Sequence, residues 1–169
     1  MSDWALINQD SGKTDWATPK KLFEYFDDTY HFDLDPCSTH ENALCKKHFT
    51  IEEDGLKQDW GGSKVFMNPP YSRETSKWIE KAYQESLKGA VVVCLIPCRP
   101  DASYWHKWIF PYASQIYFIQ GRLHYSDSKE TAPFPSAIVI FDKGVYDSQK
   151  HHLGNLSFGM KGGEFYGRS

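Results

Sequence analysis

Val65-Phe66-Met67-Asn68-Pro69-Pro70-Tyr71-Ser72 decides how the rest of this chain is read. Its first three residues are apolar and read as the end of a buried strand. Two consecutive prolines then remove two backbone donors and fix φ twice, so the strand stops. Beyond it the chain must form a stiff, open loop at the strand's end. Asn68 offers an amide oxygen, the Pro69 carbonyl offers a second acceptor, and Tyr71 offers a ring face. Two acceptors beside a stacking ring suit an exocyclic amino group with two hydrogens.

Working outward, residues 64–67 form the central strand of a sheet. Residues 75–87 carry Trp78, Ile79, Ala82, Tyr83 and Leu87 at helical spacing. Residues 89–97 are an unbroken apolar run, the pattern of a strand buried on both faces of a parallel sheet. Residues 103–110 read as a helix ended by Pro111. Residues 115–120 and 136–141 read as strands joined by a polar loop, an antiparallel hairpin at the sheet edge. Upstream, Thr18 is an N-cap candidate, Pro19 suits the first helical position, and Leu22, Phe23 and Phe26 face inward. Residues 32–37 alternate and break at Pro36, which predicts a first strand ending at Asp35. A short helix at 41–45 and a strand at 47–51 come next. The pattern is α/β, with a mostly parallel sheet and a terminal antiparallel hairpin. It gives a loose lead-in at 1–15, one domain at 16–146 and a weakly structured tail at 147–169.

A length of 169 residues fits one domain with a real core. The net charge of -3 argues against a protein that coats nucleic acid, but leaves room for a local basic face. No run approaches ~18 apolar residues, so no membrane span is expected. Met1-Ser2-Asp3-Trp4 lacks the form of a signal peptide, and a cytoplasmic protein is expected. Cys37, Cys45, Cys94 and Cys98 then read as reduced thiols. Cys37, His40, Cys45 and His48 also have a spacing that could hold zinc tetrahedrally. The competing reading is a plain turn and strand, because a zinc clamp would fill the loop that a ligand needs.

Asn68-Pro69-Pro70-Tyr71 resembles the catalytic motif of the amino-methyltransferases that use S-adenosylmethionine. The ordered set around it narrows the resemblance. Thr18-Pro19, Asp35-Pro36-Cys37, Asp54-Gly55-Leu56 through Trp60, the motif itself, and Ala132-Pro133-Phe134-Pro135-Ser136 together resemble the compact, phage-type Dam family of DNA N6-adenine methyltransferases. The resemblance covers roughly residues 16–141 and implies a Rossmann-like, S-adenosylmethionine-dependent methyltransferase fold. It implies a cofactor site at Trp16, Thr18, Pro19, Asp35, Pro36, Cys37, Asp54, Leu56 and Asn68. Asp54 would accept from the cofactor's adenine amine, and Glu52 would instead, or in addition, hold its ribose hydroxyls. The sequence departs from the family at Ser38-Thr39-His40-Glu41-Asn42, where a glycine-rich turn is usual and no glycine stands.

The implied chemistry is methyl transfer to adenine N6 by direct displacement. Asn68 and Pro69 would hold both N–H groups of the amine and expose its lone pair, Pro70 would stiffen the loop, and Tyr71 would stack on a base flipped out of double-stranded DNA. No metal or nucleophilic cysteine is required. A basic rim of Arg73, Lys77, Arg99, Arg122 and Lys129, with Lys107 nearby, would meet the DNA backbone. A chain of this length has no room for a separate recognition domain, so a short target is expected, with the protein a monomer or homodimer. The motif equally accommodates an RNA adenine, a cytosine N4 or a glutamine amide. A degenerate nucleic-acid-binding module without turnover is a further reading, supported by the missing glycine-rich turn and opposed by the intact Asn68-Pro69-Pro70-Tyr71.

Overall fold

Helix α1, Lys20–Tyr30, opens the computed structural model, which describes residues 16–125, 131–146, 157–161 and 164–167. Leu22 and Phe26 of α1 are buried and Phe23 is half-buried. Pro19 sits at the cap position and no side chain caps the helix. Thr18 is therefore not the N-cap that the sequence predicts. Its hydroxyl is drawn instead to Asn68.

Strands β1 (Leu34–Asp35), β2 (Lys47–His48), β3 (Lys64–Met67) and β4 (Val91–Pro97) pair in parallel in the order β2-β1-β3-β4. Strand β6 (Ser136–Asp142) then runs antiparallel between β4 and β5 (Gln115–Gln120). The hairpin of β5 and β6 is thus present, but not at the sheet edge. Strands β7 (Ser157–Lys161) and β8 (Glu164–Gly167) extend the sheet beyond β5 and make eight strands among the described residues. The sequence predicts a weakly structured tail there. Glycines and polar residues hide the strand pattern, and pairing with β5 supplies what propensity does not.

The sheet separates two apolar layers. Alternate residues point to opposite faces of a strand. Val65, Met67, Val92, Cys94 and Ile96 pack toward α2 (Thr75–Leu87), whereas Phe66, Val91, Val93 and Leu95 pack toward α1. Every residue of β4 is buried, as its unbroken apolar run predicts. The helical segment after β4 passes through Pro111 rather than ending there. A π-helical turn at Trp105–Ile109 leads into α3, Phe110–Tyr112. The wider turn relieves the clash that a proline ring makes with the preceding turn. A last short helix, α4, spans Lys143–Tyr146. The segment at 41–45 is a turn rather than the predicted helix, and the strand predicted over 47–51 shrinks to β2.

The register fixes which groups share an edge. Strands β1, β3, β4 and β5 all end on one side of the sheet, where β6 begins with Ser136 opposite Pro97. Asp35, Asn68, Arg99 and Arg122 therefore gather at the carboxyl edge, where open α/β sheets bind ligands.

Glu85 of α2 braces the turn before β3. It is fully buried and accepts from the Trp60 N–H at 3.1 Å, Lys81 Nζ at 2.7 Å and Lys88 Nζ at 2.8 Å. Burial pushes its carboxyl up, but these three donors together outweigh that and hold it below the ordinary 4.5. The stabilisation is present above the unfolded value and is lost as pH falls through the folded one. Glu85→Ala should cost about 2–3 kcal/mol at pH 7, since it strands a buried N–H and the Lys81 ammonium. Urea denaturation at pH 7 and pH 3 should show the gap between wild type and variant narrowing in acid.

Candidate active site

Asn68 is pinned from three sides. Its Nδ2 donates to the Trp16 carbonyl at 2.5 Å and to Thr18 Oγ1 at 2.9 Å, and its Oδ1 accepts from the Tyr71 hydroxyl at 2.7 Å. A backbone carbonyl can only accept, so the atom facing Trp16 must be the NH₂. This fixes the amide plane and leaves Oδ1 one lone pair for an incoming donor. No donor among the described residues reaches the neighbouring Pro69 carbonyl. Asn68 and Pro69, which carry the two acceptors expected from the motif, directly follow β3 and both line one cavity.

The loop behind them is held open by a second network. Thr75 Oγ1 donates to the Pro70 carbonyl at 2.8 Å and accepts from the Ser72 N–H at 3.1 Å. The motif is thereby tied to the first turn of α2.

Tyr71 is placed differently from expectation. Its side chain is 3% exposed, with the ring edge-on to Phe134 at 5.3 Å. In this structure the ring has no open face for a base. Its contribution is the hydroxyl that orients Asn68. Sequence patterns report a tyrosine after two prolines, but not which way a rigid loop turns it.

A cavity of about 640 Å³ opens beside Asn68. Trp16, Thr18, Asp35, Pro36, Cys37, Asp54, Leu56 and Asn68 all line it, and Pro69 and Pro70 close it. Of the predicted cofactor residues only Pro19 does not reach it, because it is buried at the start of α1. Glu52 and the exposed Ile51 stand on the wall, the latter 92% exposed. Ser38 and Thr39, from the stretch where a glycine-rich turn is usual, also line the cavity, as does Trp78, which the sequence marks only as an apolar helix position.

The loop without glycine is shaped by Asp35. Its carboxylate accepts from the Cys37 N–H at 3.3 Å through one oxygen and from the Leu44 N–H at 3.1 Å through the other. Burial raises the Asp35 carboxyl above its ordinary value, and these two N–H groups offset part of the rise. Thr39 and Asn42 cap each other, with Thr39 N–H to Asn42 Oδ1 at 2.8 Å and Asn42 N–H to Thr39 Oγ1 at 3.3 Å. Hydrogen bonds thus set the curve that glycines usually permit. The glycine the cavity does need is Gly55, on the facing loop. A Cβ there would lie 2.0 Å from the Pro36 carbonyl oxygen, and the Gly55 carbonyl accepts from Trp60 Nε1 at 2.9 Å. Asp35→Asn would turn an NH₂ toward one of the two loop N–H groups. It should weaken ligand binding in the cavity about tenfold, with stability within about 1 kcal/mol of wild type, read by calorimetry and denaturation.

Asp54 has a left-handed φ of 53°, and Lys57 Nζ lies 2.9 Å from its carboxylate. That hydrogen bond holds its carboxyl below the ordinary range, so it stays an acceptor at neutral pH. His40 Nδ1 and His48 Nε2 meet at 2.9 Å. Among the described residues no group of three or more His, Cys, Asp or Glu side chains could hold a metal, so Cys37, His40, Cys45 and His48 are not gathered into one site. Arg73 and Lys77 are exposed at the start of α2, with Lys77 paired to Glu74 at 2.9 Å. Arg122 is exposed after β5, and Arg99 lies 3.5 Å from Asp101 after β4. Lys129 lies outside the described residues.

Residues 7–151 match the DNA N-6-adenine-methyltransferase (Dam) family, and the chain belongs to that family. A DNA N-6-adenine-methyltransferase of Haemophilus phage HP1 is 28% identical over 148 residues, covering 83% of this chain and 86% of that protein. Another, of Escherichia phage T1, is 31% identical over 110 residues, covering 64% of this chain and 45% of that protein. The chain thus spans less than half the length of the T1 relative and most of the HP1 relative.

Proposed function

We propose that this chain methylates adenine N6 in double-stranded DNA, with S-adenosylmethionine as donor. The observation that carries this reading is the Asn68 amide, locked by Trp16, Thr18 and Tyr71 beside a nucleoside-sized cavity. The parallel half of the sheet, with its cavity beyond the carboxyl ends, supports a Rossmann-like methyltransferase fold.

The cavity residues fit the donor by chemistry. Cavities of ~300–1,000 Å³ take ligands of this size. Asp54 and Glu52 are acceptors suited to an amine and to hydroxyls, and Ile51 offers an apolar face to a ring. The Ser38 hydroxyl oxygen is shielded at the wall and makes no close hydrogen bond, with the Asp35 carboxylate as its polar neighbour. A ligand hydroxyl or amine would satisfy it. S-adenosylmethionine, when bound, supplies an electrophilic methyl group.

The rest is work for this chain's own residues. Adenine's amine is a poor nucleophile because its lone pair is shared with the ring. Asn68 Oδ1 and the Pro69 carbonyl accept its two hydrogens and draw the nitrogen toward a pyramidal form. Much of the rate then comes from holding the amine in line. The amine is out of reach inside a stacked duplex, so the base turns out to meet Asn68. Arg73, Arg99 and Arg122, at or near the carboxyl edge, suit the flanking phosphates. No helix among the described residues is long and apolar enough to cross a membrane. The place of action on this reading is the cytoplasm of a bacterial host.

Methyl-tritiated S-adenosylmethionine incubated with duplex DNA, RNA or protein tests the substrate. Label entering duplex DNA alone is the expected result. Label in RNA or in protein glutamine overturns the assignment of DNA.

A further inference from the structure

Tyr125 lies just beyond β5, outside every motif of the family resemblance, and is 1% exposed. Its hydroxyl is 3.0 Å from the Tyr71 hydroxyl and 3.3 Å from Ser136 Oγ, and its ring packs 5.3 Å from Trp16. We propose that Tyr125, backed by Ser136, is a positioning residue that fixes the Asn68 carboxamide for transfer, which rests on the methyl-transfer reading above.

The direction of the chain comes from counting hydrogens. Asn68 must turn its NH₂ to the Trp16 carbonyl, so its Oδ1 faces Tyr71 and can only accept. Tyr71 has one hydroxyl hydrogen, and at 2.7 Å it must point at Oδ1, since two bare oxygens would repel there. The Tyr71 oxygen is then the acceptor for Tyr125, and Tyr125 in turn accepts from Ser136. The donors run Ser136 to Tyr125 to Tyr71 to Asn68, all in one sense. Hydrogen bonds in such a row polarise one another.

Tyr71 also has an alternative. The Leu95 carbonyl lies 3.4 Å from the same hydroxyl. The Tyr125 donor occupies the Tyr71 lone pair and keeps its hydrogen on Asn68. Without it, the Tyr71 hydroxyl is released to turn to Leu95, and Asn68 Oδ1 loses its clamp. Tyr125 thus bears on both sides of the amide, through its hydroxyl on Tyr71 and its ring on Trp16. Burial pushes the Tyr125 phenol up to about 12 and the Tyr71 phenol well above its ordinary value, so both stay protonated in the working range. The row supplies orientation and is not a proton path.

Tyr125→Phe keeps the ring and removes only the hydroxyl. We expect kcat to fall about tenfold with the dissociation constant for S-adenosylmethionine within about twofold. Ser136→Ala should move kcat in the same direction by less. The pH profile of the residual activity should keep its shape. An activity-independent readout uses the Asn68 side-chain NH₂ signals in a ¹⁵N–¹H spectrum, assigned by their loss in Asn68→Ala. Their exchange with solvent should be about fivefold faster in Tyr125→Phe. Unchanged exchange overturns the proposal, as does a kcat loss matched by an equal loss of cofactor affinity. If wild type methylates no substrate, the methyl-transfer reading fails, while the exchange rates still decide whether Tyr125 fixes Asn68.

Discussion

Asn68→Ala should lower methyl transfer about a hundred- to a thousandfold while the chain still binds S-adenosylmethionine within about threefold of wild type. The split arises from what the amide touches. On the methyl-transfer reading its Oδ1 is one of two acceptors for the amine, and its free lone pair is the one that the Tyr71 hydroxyl leaves open. Its Nδ2 holds the Trp16 carbonyl and Thr18 in place. Alanine removes the acceptor outright, and the amine keeps a flat, conjugated nitrogen. The cavity behind it loses the amide and its tie to Trp16 and Thr18, at one side of a wall of many residues. The Asp35-held loop and the segment around Asp54 also line it, and among the described residues the hydrogen bonds of Asp35 and Asp54 do not run to Asn68. Single-turnover rates set against calorimetric binding separate the two effects. Full activity in the variant would remove Asn68 from the chemistry.

Gly55→Ala should do the opposite, with binding lost first. The added Cβ would lie 2.0 Å from the Pro36 carbonyl oxygen, 3.0 Å from its carbon and 3.1 Å from the Trp78 ring. Two of these neighbours are backbone atoms of a proline, which cannot swing away as a long side chain does. The facing loops must part, and the Trp60 Nε1 bond to the Gly55 carbonyl goes with them. Overpacking of this kind costs about 1–3 kcal/mol. Parted loops no longer hold Asp54 and Pro36 across one ligand, so cofactor affinity should fall about a hundredfold. Gly61→Ala is the control. Its Cβ would meet only the Asp59 carboxylate, at 3.2 Å, and that side chain can rotate. Denaturation and calorimetry on both variants check the contrast. Equal behaviour would mean the loops are not closely seated.

Much of this site was legible because its signals are local. Two prolines stop β3 where the run of apolar residues ends, and the unbroken, β-branched run at Val91–Pro97 reads as a buried strand. The stretches around Asp35, Asp54 and Asn68 fall at strand or loop ends and meet at one cavity. What was hidden depends on orientation in space. Nothing in the pattern says that Tyr71 turns inward or that Thr18 faces Asn68 instead of capping α1. The absent glycine-rich turn misled for the same reason. The close approach exists, but its glycine is Gly55 across the cleft, and the loop itself is curved by a carboxylate. Tyr125 was invisible because its partner Tyr71 is distant in sequence. Strands β7 and β8 were missed because glycine-rich segments take their order from the strand they pair with.

The identity of the methylated nucleoside tests transfer to adenine N6 more directly than any variant. Duplex DNA is incubated with the protein and S-adenosylmethionine carrying a deuterated methyl group, digested to nucleosides and read by mass spectrometry. The expected product is N6-methyldeoxyadenosine carrying the deuterated methyl in the wild-type reaction, and its near-absence with Asn68→Ala. A deuterated methyl found on cytosine N4 instead, or on no nucleoside although S-adenosylmethionine binds, would contradict the assignment of Asn68 and Pro69 to an adenine amine.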